Sequence, residues 1–379
     1  MKIVDIEAIW LRVPAMGDSA EWGDDAFVVR VHTDTGLIGV GESDSSPAVL
    51  KVIVETPSSH STCKGLREIL LGENPLDIER LWHKMFNESS YMGRRGAVIH
   101  AISAIDIALW DIAGQHHGVP VHQLLGGKLR DEIEAYGTFI AVETPLENGR
   151  LAARLIDAGL KMLKLGGGNF GLDPRHDKDV IREIRSSVGK DVELAVDLVY
   201  RWKNFSIAKK QAEELYEFNL AWIEEPIPSN DHDGLRRLSE SIETKISGGE
   251  CLATLAEFDE FIRETRPDII QSDITRCGGI SEIRRIHELS TRHDCRLVPH
   301  GFSTGILLAA TTQFLASVPN GDLIEYSRST SPLASGLVAD HLPLVNGSVA
   351  VSNSPGLGVV LDDGILSRYR VDIRFATGG

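Results

Sequence analysis

Seven ionisable residues, Lys164, Asp197, Glu224, Glu250, Asp273, His300 and Glu325, recur at intervals of 23 to 33 residues, each closing a short apolar run. Asp197, Glu224 and Glu250 are carboxylates on consecutive runs. A donor set of hard oxygens, without His or Cys, suits Mg²⁺ better than zinc. A lone Asp at a strand end commonly caps the following helix. Three such groups converging without a cation would repel and raise one another's pKa. Asp273 and His300 form a second constellation. A carboxylate beside an imidazole fixes its tautomer and stabilises its charged form. His300 follows Pro299 and precedes Gly301, as a strand-end residue entering a loop does. Lys164 can hold a substrate carboxylate or, desolvated, act as a base. Glu225 follows Glu224 directly, and neighbours on a strand face opposite ways, so one of the two enters the site.

What positions these groups is the rhythm itself. A strand–helix unit needs roughly 30 residues. A parallel barrel gathers the carboxyl ends of its strands around one mouth, where distant residues meet. The 379 residues fit one barrel plus a smaller domain. Residues 1–128 read as an α+β capping domain, 129–342 as the barrel, and 343–379 as a tail returning to the cap. The opening is a meander: strands at 2–13, 26–33 and 37–41, with turn residues Asp34-Thr35-Gly36 between the last two. The polar, glycine-bearing stretch 15–25 reads as a loop between strands, and as a lid over substrate only through the family resemblance given below. A helix starts near Asp77. A longer one carries Ile102, Ile105, Leu109 and Ile112 at helical spacing and stops at Gly118-Val119-Pro120. Asp106 and Asp111 on it read as solvated or capping groups. His116, His117 and His232 read as residues of solvated loops. Glu132 to Thr138 is the first barrel strand, and 349–351 and 359–361 are short strands of the tail.

The net charge of −16 argues against nucleic acid and anionic membranes as partners. Cys63, Cys251, Cys277 and Cys295 form no C-x-x-C pair and read as reduced thiols of a cytoplasmic protein. No signal-peptide pattern opens the sequence, and no uninterrupted apolar run has transmembrane length. Gly166 to Gly171 fits G-x-G-x-x-G, a dinucleotide fingerprint, but Asp173-Pro174 intervenes before the next helix, where the fingerprint opens its helix directly.

These residues resemble the enolase superfamily and, within it, the mandelate racemase-like sugar-acid dehydratases. Ile105-Asp106-Ile107-Ala108-Leu109-Trp110-Asp111 is similar to the family's cap helix, and Trp222-Ile223-Glu224-Glu225-Pro226 to its second metal-ligand strand. Gly249-Glu250 is similar to the third. Asp273, Gly278-Gly279 and Pro299-His300 resemble the group's Asp–His dyad. The resemblance implies a modified (β/α)7β TIM barrel with an α+β cap completed by the carboxyl-terminal tail. It implies Mg²⁺ on Asp197, Glu224 and Glu250, an acid/base dyad of His300 and Asp273, and Glu325 hydrogen-bonded to the substrate carboxylate. The activity implied is dehydration of an aldonate or aldarate to a 2-keto-3-deoxy acid. An epimerase or cycloisomerase acting on a carboxylate is the alternative, and a barrel that keeps its ligands without turnover is a third reading. A homo-oligomer binding a small carboxylate is expected. Two departures stand out. Gly166 occupies the place of the family's second lysine, and Asp197-Leu198-Val199 lacks the usual polar residue two after the first ligand. Tyr200 and Arg201 are the expected substitutes for that contact.

Overall fold

A computed structural model describes residues 1–14, 23–339 and 342–372. The first three strands, β1 (Ile3–Arg12), β2 (Asp25–Thr33) and β3 (Ile38–Ser43), form an antiparallel sheet in the order β1-β2-β3. Gly36, at φ +84°, supplies the left-handed residue of the turn between β2 and β3. The proposed lid falls at 15–25, and residues 15–22 of it lie outside the described residues. Helices Pro47–Glu55 and Ala97–His117 pack on this sheet, and Ile78–Glu88 packs on Ala97–His117. Helix Ala97–His117 is buried along most of its length and ends at Gly118 in the left-handed conformation (φ +68°). By length and composition it could cross a membrane, but 89% of that stretch is buried inside the fold. It lies close against β3. A β-carbon on Gly41 would sit 1.9 Å from the Ala104 carbonyl oxygen, so no larger residue fits there.

Eight parallel strands follow: β4 (Glu132–Ile140), β5 (Met162–Gly166), β6 (Glu193–Asp197), β7 (Ile223–Glu224), β8 (Ile246–Gly248), β9 (Ile269–Ile270), β10 (Arg296–Leu297) and β11 (Leu323–Ser327). Neighbours pair in sequence from β4 to β10, and β11 pairs with β4. Seven helices of eight or more residues connect them, from Pro145–Asp157 to Gly305–Ser317. This is the (β/α)7β architecture. Its interior is a separate apolar layer of Tyr136, Met162, Ala195, Trp222, Ile269, Val298 and Leu323, on or beside seven strands. Burying aliphatic side chains such as Met162, Ile269, Val298 and Leu323 stabilises the barrel by roughly 1.5–3 kcal/mol each.

The tail does two things. Strands β12 (Leu344–Val345) and β13 (Ser348–Ala350) form a hairpin, and β13 pairs antiparallel with the start of β4. This part of 343–379 therefore extends the barrel sheet instead of joining the cap. Farther on the chain does reach the cap. The Leu357 amide donates to Asp111, Leu11 bridges Arg370, and Asp363 pairs with Arg30 at 2.9 Å. Residues 359–361 form no strand; Leu361 makes a single bridge to Val338.

Three readings of polar residues need correction. Asp106 and Asp111 are buried, not solvated. Asp106 accepts from the Ser281 amide (3.0 Å) and hydroxyl (2.6 Å), tying the cap helix to the start of helix Ile280–Arg292. Asp111 accepts from the amides of Val40 and Leu357, so one carboxylate holds sheet, helix and tail. Helical periodicity hid both, because a buried carboxylate is unusual unless its donors come from elsewhere in the chain. His116 and His117 are exposed but end the cap helix, and His232 opens helix His232–Ser239 while pairing with Glu264 at 2.6 Å. Replacing Asp106 with Ala strands the two Ser281 donors, so Asp106→Ala should lower unfolding free energy by about 1–3 kcal/mol in urea titration. An unchanged midpoint would remove Asp106 from the cap–barrel joint.

Candidate active site

The apolar layer of the barrel predicts the polar layer above it. Side chains alternate along a strand, so the residue two beyond each interior position faces the same way. Tyr136 leads to Thr138, Met162 to Lys164, Ala195 to Asp197, Trp222 to Glu224, Val298 to His300, and Leu323 to Glu325. Six strands thereby place a polar side chain at one level. Asp197, Glu224, Lys164, Thr138 and Glu325 sit on strands; Glu250, Asp273 and His300 follow β8, β9 and β10 by two or three residues. All seven residues singled out from the sequence come together at this end of the barrel.

Asp197, Glu224 and Glu250 each present a carboxylate oxygen within 4.8 Å of the others. Their surroundings are built to hold them there. The Val199 amide donates to Asp197 (2.9 Å) and the Trp222 indole to Glu224 (3.1 Å). Val199 and Tyr200 take positive φ angles of 47° and 62° just beyond Asp197, and Glu225 takes 42°. Such backbone costs of order 1–3 kcal/mol per residue and gathers at functional sites. Glu225 points away, buried, and accepts from the Gly249 amide at 2.7 Å, bracing the residue before Glu250. Burial, together with neighbouring negative charge, raises the pKa of Asp197 to about 7 and of Glu224 to about 8. Lys164 works against this but does not prevail. Glu250 is the exception: His300 and Arg276 overcome its burial and hold its pKa below the ordinary value. An all-oxygen carboxylate trio, two of whose members resist ionising, fits a hard divalent cation.

On one side of this trio, the Lys164 ammonium donates to Glu224 at 2.7 Å and lies 3.0 Å from Glu325, with all three groups buried. Burial disfavours the ammonium, but the two carboxylates outweigh it and hold the Lys164 pKa above its ordinary value. Glu325 also accepts from the Thr138 hydroxyl (2.5 Å) and the Gly301 amide (2.9 Å). Burial would raise its pKa, yet Lys164 and His300 bring it down to about 2.

On the other side stands the dyad. His300 Nδ1 lies 2.7 Å from Asp273, and Nε2 lies 3.4 Å from Glu250. Asp273 also accepts from the Thr275 amide (2.7 Å) and hydroxyl (2.6 Å), which fixes its orientation. Burial lowers the His300 pKa, but the Glu250 charge and the Asp273 bond lift it to about 10.

Three contributors escaped sequence reasoning. Thr138 gives no signal, being one hydroxyl in a strand. Arg276 is three residues past Asp273, inside a loop. It donates to Asp44 (2.5 Å) and reaches Glu250 at 3.4 Å and Asp273 at 3.9 Å. Asp44 belongs to the cap, just beyond β3, and comes within 4.8 Å of the dyad. Its neighbours hold it there. The Ser43 hydroxyl donates to the Thr275 carbonyl at 2.8 Å, and buried Glu42 accepts from Ser303, Thr304 and the Leu307 amide at the start of helix Gly305–Ser317. An Asp 229 residues from its nearest site partner has no local pattern to betray it.

A cavity open to solvent joins these groups, lined among others by Asp44, Thr138, Lys164, Asp197, Glu250, Arg276, His300 and Glu325. Tyr200 and Arg201 are not among its described lining residues. Arg201 instead donates to the carbonyls of Gly167, Gly168 and Phe170. This also settles the glycine-rich loop: its carbonyls face a guanidinium, and its helix begins only at Pro174, capped by Asp173. A phosphate cradle needs the opposite polarity, with amides turned outward.

Residues 16–126 match the model of the mandelate racemase/muconate lactonizing enzyme N-terminal domain, and residues 147–365 that of the enolase C-terminal domain-like family. The chain is 33% identical over 359 residues to an arabinonate dehydratase of Saccharolobus solfataricus, spanning 93% of this chain and 92% of the relative. It is 30% identical over 356 residues to a D-galactarolactone cycloisomerase of Agrobacterium fabrum, spanning 91% of each. The crystal structure of the 3,6-anhydro-D-galactonate cycloisomerase from Zobellia galactanivorans superposes with a TM-score of 0.90 at 30% identity, covering 98% of this chain and all of that one. Matched in both segments and along nearly its whole length, the chain belongs to the enolase superfamily, in its mandelate racemase-like group.

Proposed function

We propose that this enzyme is a hydro-lyase that converts a sugar acid, an aldonate or aldarate, to its 2-keto-3-deoxy acid, with Mg²⁺ held by Asp197, Glu224 and Glu250. The observation that carries the reading is the placement of His300–Asp273 and Lys164–Glu325 on either side of the carboxylate trio, around one cavity. A proton α to a carboxylate is weakly acidic because its removal puts a second negative charge on the same group. When bound, the cation supplies the positive charge that offsets this second charge where it develops. The remaining work falls to the chain.

His300, steered through Nδ1 by Asp273, presents Nε2 as the base, once the charge of Glu250 is taken up in ligation. It removes the α-proton and becomes an imidazolium stabilised by Asp273. Lys164 stays an ammonium under its two carboxylates and steadies the substrate carboxylate as its charge grows. Glu325, ionised and pinned by Thr138 and the Gly301 amide, has no proton to give that carboxylate; it holds the Lys164 ammonium in place instead. The enediolate electrons then form a carbon–carbon double bond as the β-carbon–oxygen bond breaks. His300 returns its proton to the departing hydroxyl, water leaves, and the enol tautomerises to the ketone. One base suffices, on one face. At Gly166, the place of the family's second lysine, no base is available.

A second reading has a specific support. Relatives named as cycloisomerases match as broadly as the dehydratases do. A lactone-opening reaction needs the same α-proton transfer, with a ring oxygen in place of a hydroxyl as leaving group. Incubating the protein with Mg²⁺ and a panel of sugar acids and sugar lactones separates the two by product: a 2-keto-3-deoxy acid from an acyclic acid, or ring opening of a lactone only.

His300→Asn should abolish both dehydration and exchange of the α-proton with deuterated solvent, read by NMR. Lys164→Met should slow dehydration while leaving exchange detectable. If the His300 variant still exchanges the α-proton without losing water, Lys164 is the base and elimination is anti.

Chelated protein should lose stability as pH rises from the ordinary carboxylate range to about 8, because Asp197 and Glu224 fold with raised pKa values near 7 and 8. The sign follows from the protonated forms being favoured in the folded state and forced to ionise as pH climbs. Mg²⁺ should flatten that slope and restore activity. A chelated protein with full activity, or a slope of opposite sign, would falsify the metal assignment.

Gly166 is pinned by sterics. A β-carbon there would lie 2.6 Å from that of Asp197. Gly166→Ala should therefore weaken Mg²⁺ affinity, measured by titration calorimetry, by more than it lowers the melting temperature.

A further inference from the structure

We propose that the substrate carries a single carboxylate, held at the barrel floor, and that its far end is uncharged: an aldonate, not an aldarate. This rests on the sugar-acid reading above and narrows it. The argument comes from the tier of residues above the floor. Moving two residues on from Thr138, Asp197 and His300 reaches Ile140, Val199 and Phe302, and all three line the cavity. Gly166 and Gly167 complete that wall beside Lys164. A substrate whose carboxylate meets Lys164 and the carboxylate trio extends its remaining carbons into this tier. Among the described residues it meets there Ile140, Val199, Phe302 and the glycines. Val199 stands where the family pattern carries a polar residue, so the apolar wall is a departure built into this sequence.

Among the described residues, the polar lining not yet assigned to substrate is Asp44 and Arg276. Arg276 is already matched: Asp44 at 2.5 Å, Glu250 at 3.4 Å and Asp273 at 3.9 Å. A second substrate carboxylate placed here would be desolvated against apolar side chains and repelled by Asp44, with no unmatched cation in the described lining to receive it. Arg328, just past β11, is exposed and lies over the Tyr326 ring at 5.9 Å, outside that lining. Arg201 is spent on the carbonyls of its loop. A hydroxyl, by contrast, can donate to Asp44, and a hydroxymethyl or shorter end fits against Ile140, Val199 and Phe302. Discrimination of this kind comes from what the pocket repels as much as from what it attracts.

The test uses matched pairs that differ only at the last carbon, hydroxymethyl or carboxylate: gluconate against glucarate, galactonate against galactarate, mannonate against mannarate. Titration calorimetry with the Mg²⁺-loaded full-length protein gives each dissociation constant, and a 2-keto assay gives turnover of the same compounds. For the best-bound configuration, the aldonate should bind at least about tenfold more tightly than its aldarate. Phe302→Arg, which puts a cation into the tier, should narrow or reverse that ratio, and Asp44→Asn should narrow it. Aldarate binding as tight as aldonate binding, or no binding by either, overturns the inference. Aldonate binding without 2-keto product overturns dehydration as the activity and leaves the single-carboxylate inference standing.

Discussion

The barrel gathers like charge at one level and must hold it there. Asp197, Glu250 and Glu325 line one cavity, with Glu224 against Lys164 and Asp273 against His300 beside it, and Glu224, Asp273 and Glu325 are buried. Charge in that setting is costly unless each group is paired and hydrogen-bonded. The molecule answers in two ways. Lys164, His300 and Arg276 interleave with the carboxylates, so Glu325 and Asp273 are held in their ionised forms. Asp197 and Glu224 are left pushed toward neutrality, with too little positive charge in reach. The cation proposed for this trio would supply the missing positive charge. The strain at Val199, Tyr200 and Glu225 belongs to the same balance, since backbone in the left-handed region persists only where its surroundings over-determine it.

That pressure explains why the cap is joined so firmly to the barrel. Arg276 would be a buried guanidinium facing two barrel carboxylates were Asp44 not delivered to it from the end of β3. The delivery depends on Glu42 and Ser43, each bonded to a barrel loop, and on the cap helix, which Asp106 fixes to Ser281. Asp111 then ties that helix to β3 and to the tail. The tail's return to the cap is therefore part of the site's support. It reaches the active-site carboxylates through three successive contacts: Leu357 to Asp111, Asp111 to Val40, and β3 to Asp44.

The barrel rhythm and the seven strand-end groups were legible in the sequence because each depends on local pattern. An apolar run of alternating side chains ending on a charge is visible within five or six residues. The meander and the Gly118 stop were legible for the same reason. What was hidden depends on partners far away. Asp44, Arg276 and Thr138 acquire their roles from contacts that no window of sequence contains. Asp106 and Asp111 were misread because carboxylates on a helix are ordinarily solvated, and only distant donors make their burial affordable. Arg201 was misplaced because its register past Asp197 suggested a substrate contact, whereas the carbonyls of the glycine-rich loop claim it.

Gly166 shows how one backbone contact limits the chemistry open to the site. Strands β5 and β6 pair in register, with Gly166 opposite Asp197. The approach is so close that a β-carbon at 166 would lie 2.8 Å from the Asp197 carbonyl oxygen as well as against its side chain. A lysine at 166 would therefore displace the first carboxylate of the trio unless the two strands moved apart. The same glycine that leaves that face without a base also lets Asp197 stand where Glu224 and Glu250 can meet it. Proton transfer at 166 and the present position of Asp197 exclude each other in this backbone. Sterics thus keep a second lysine out of position 166, before any question of pKa arises.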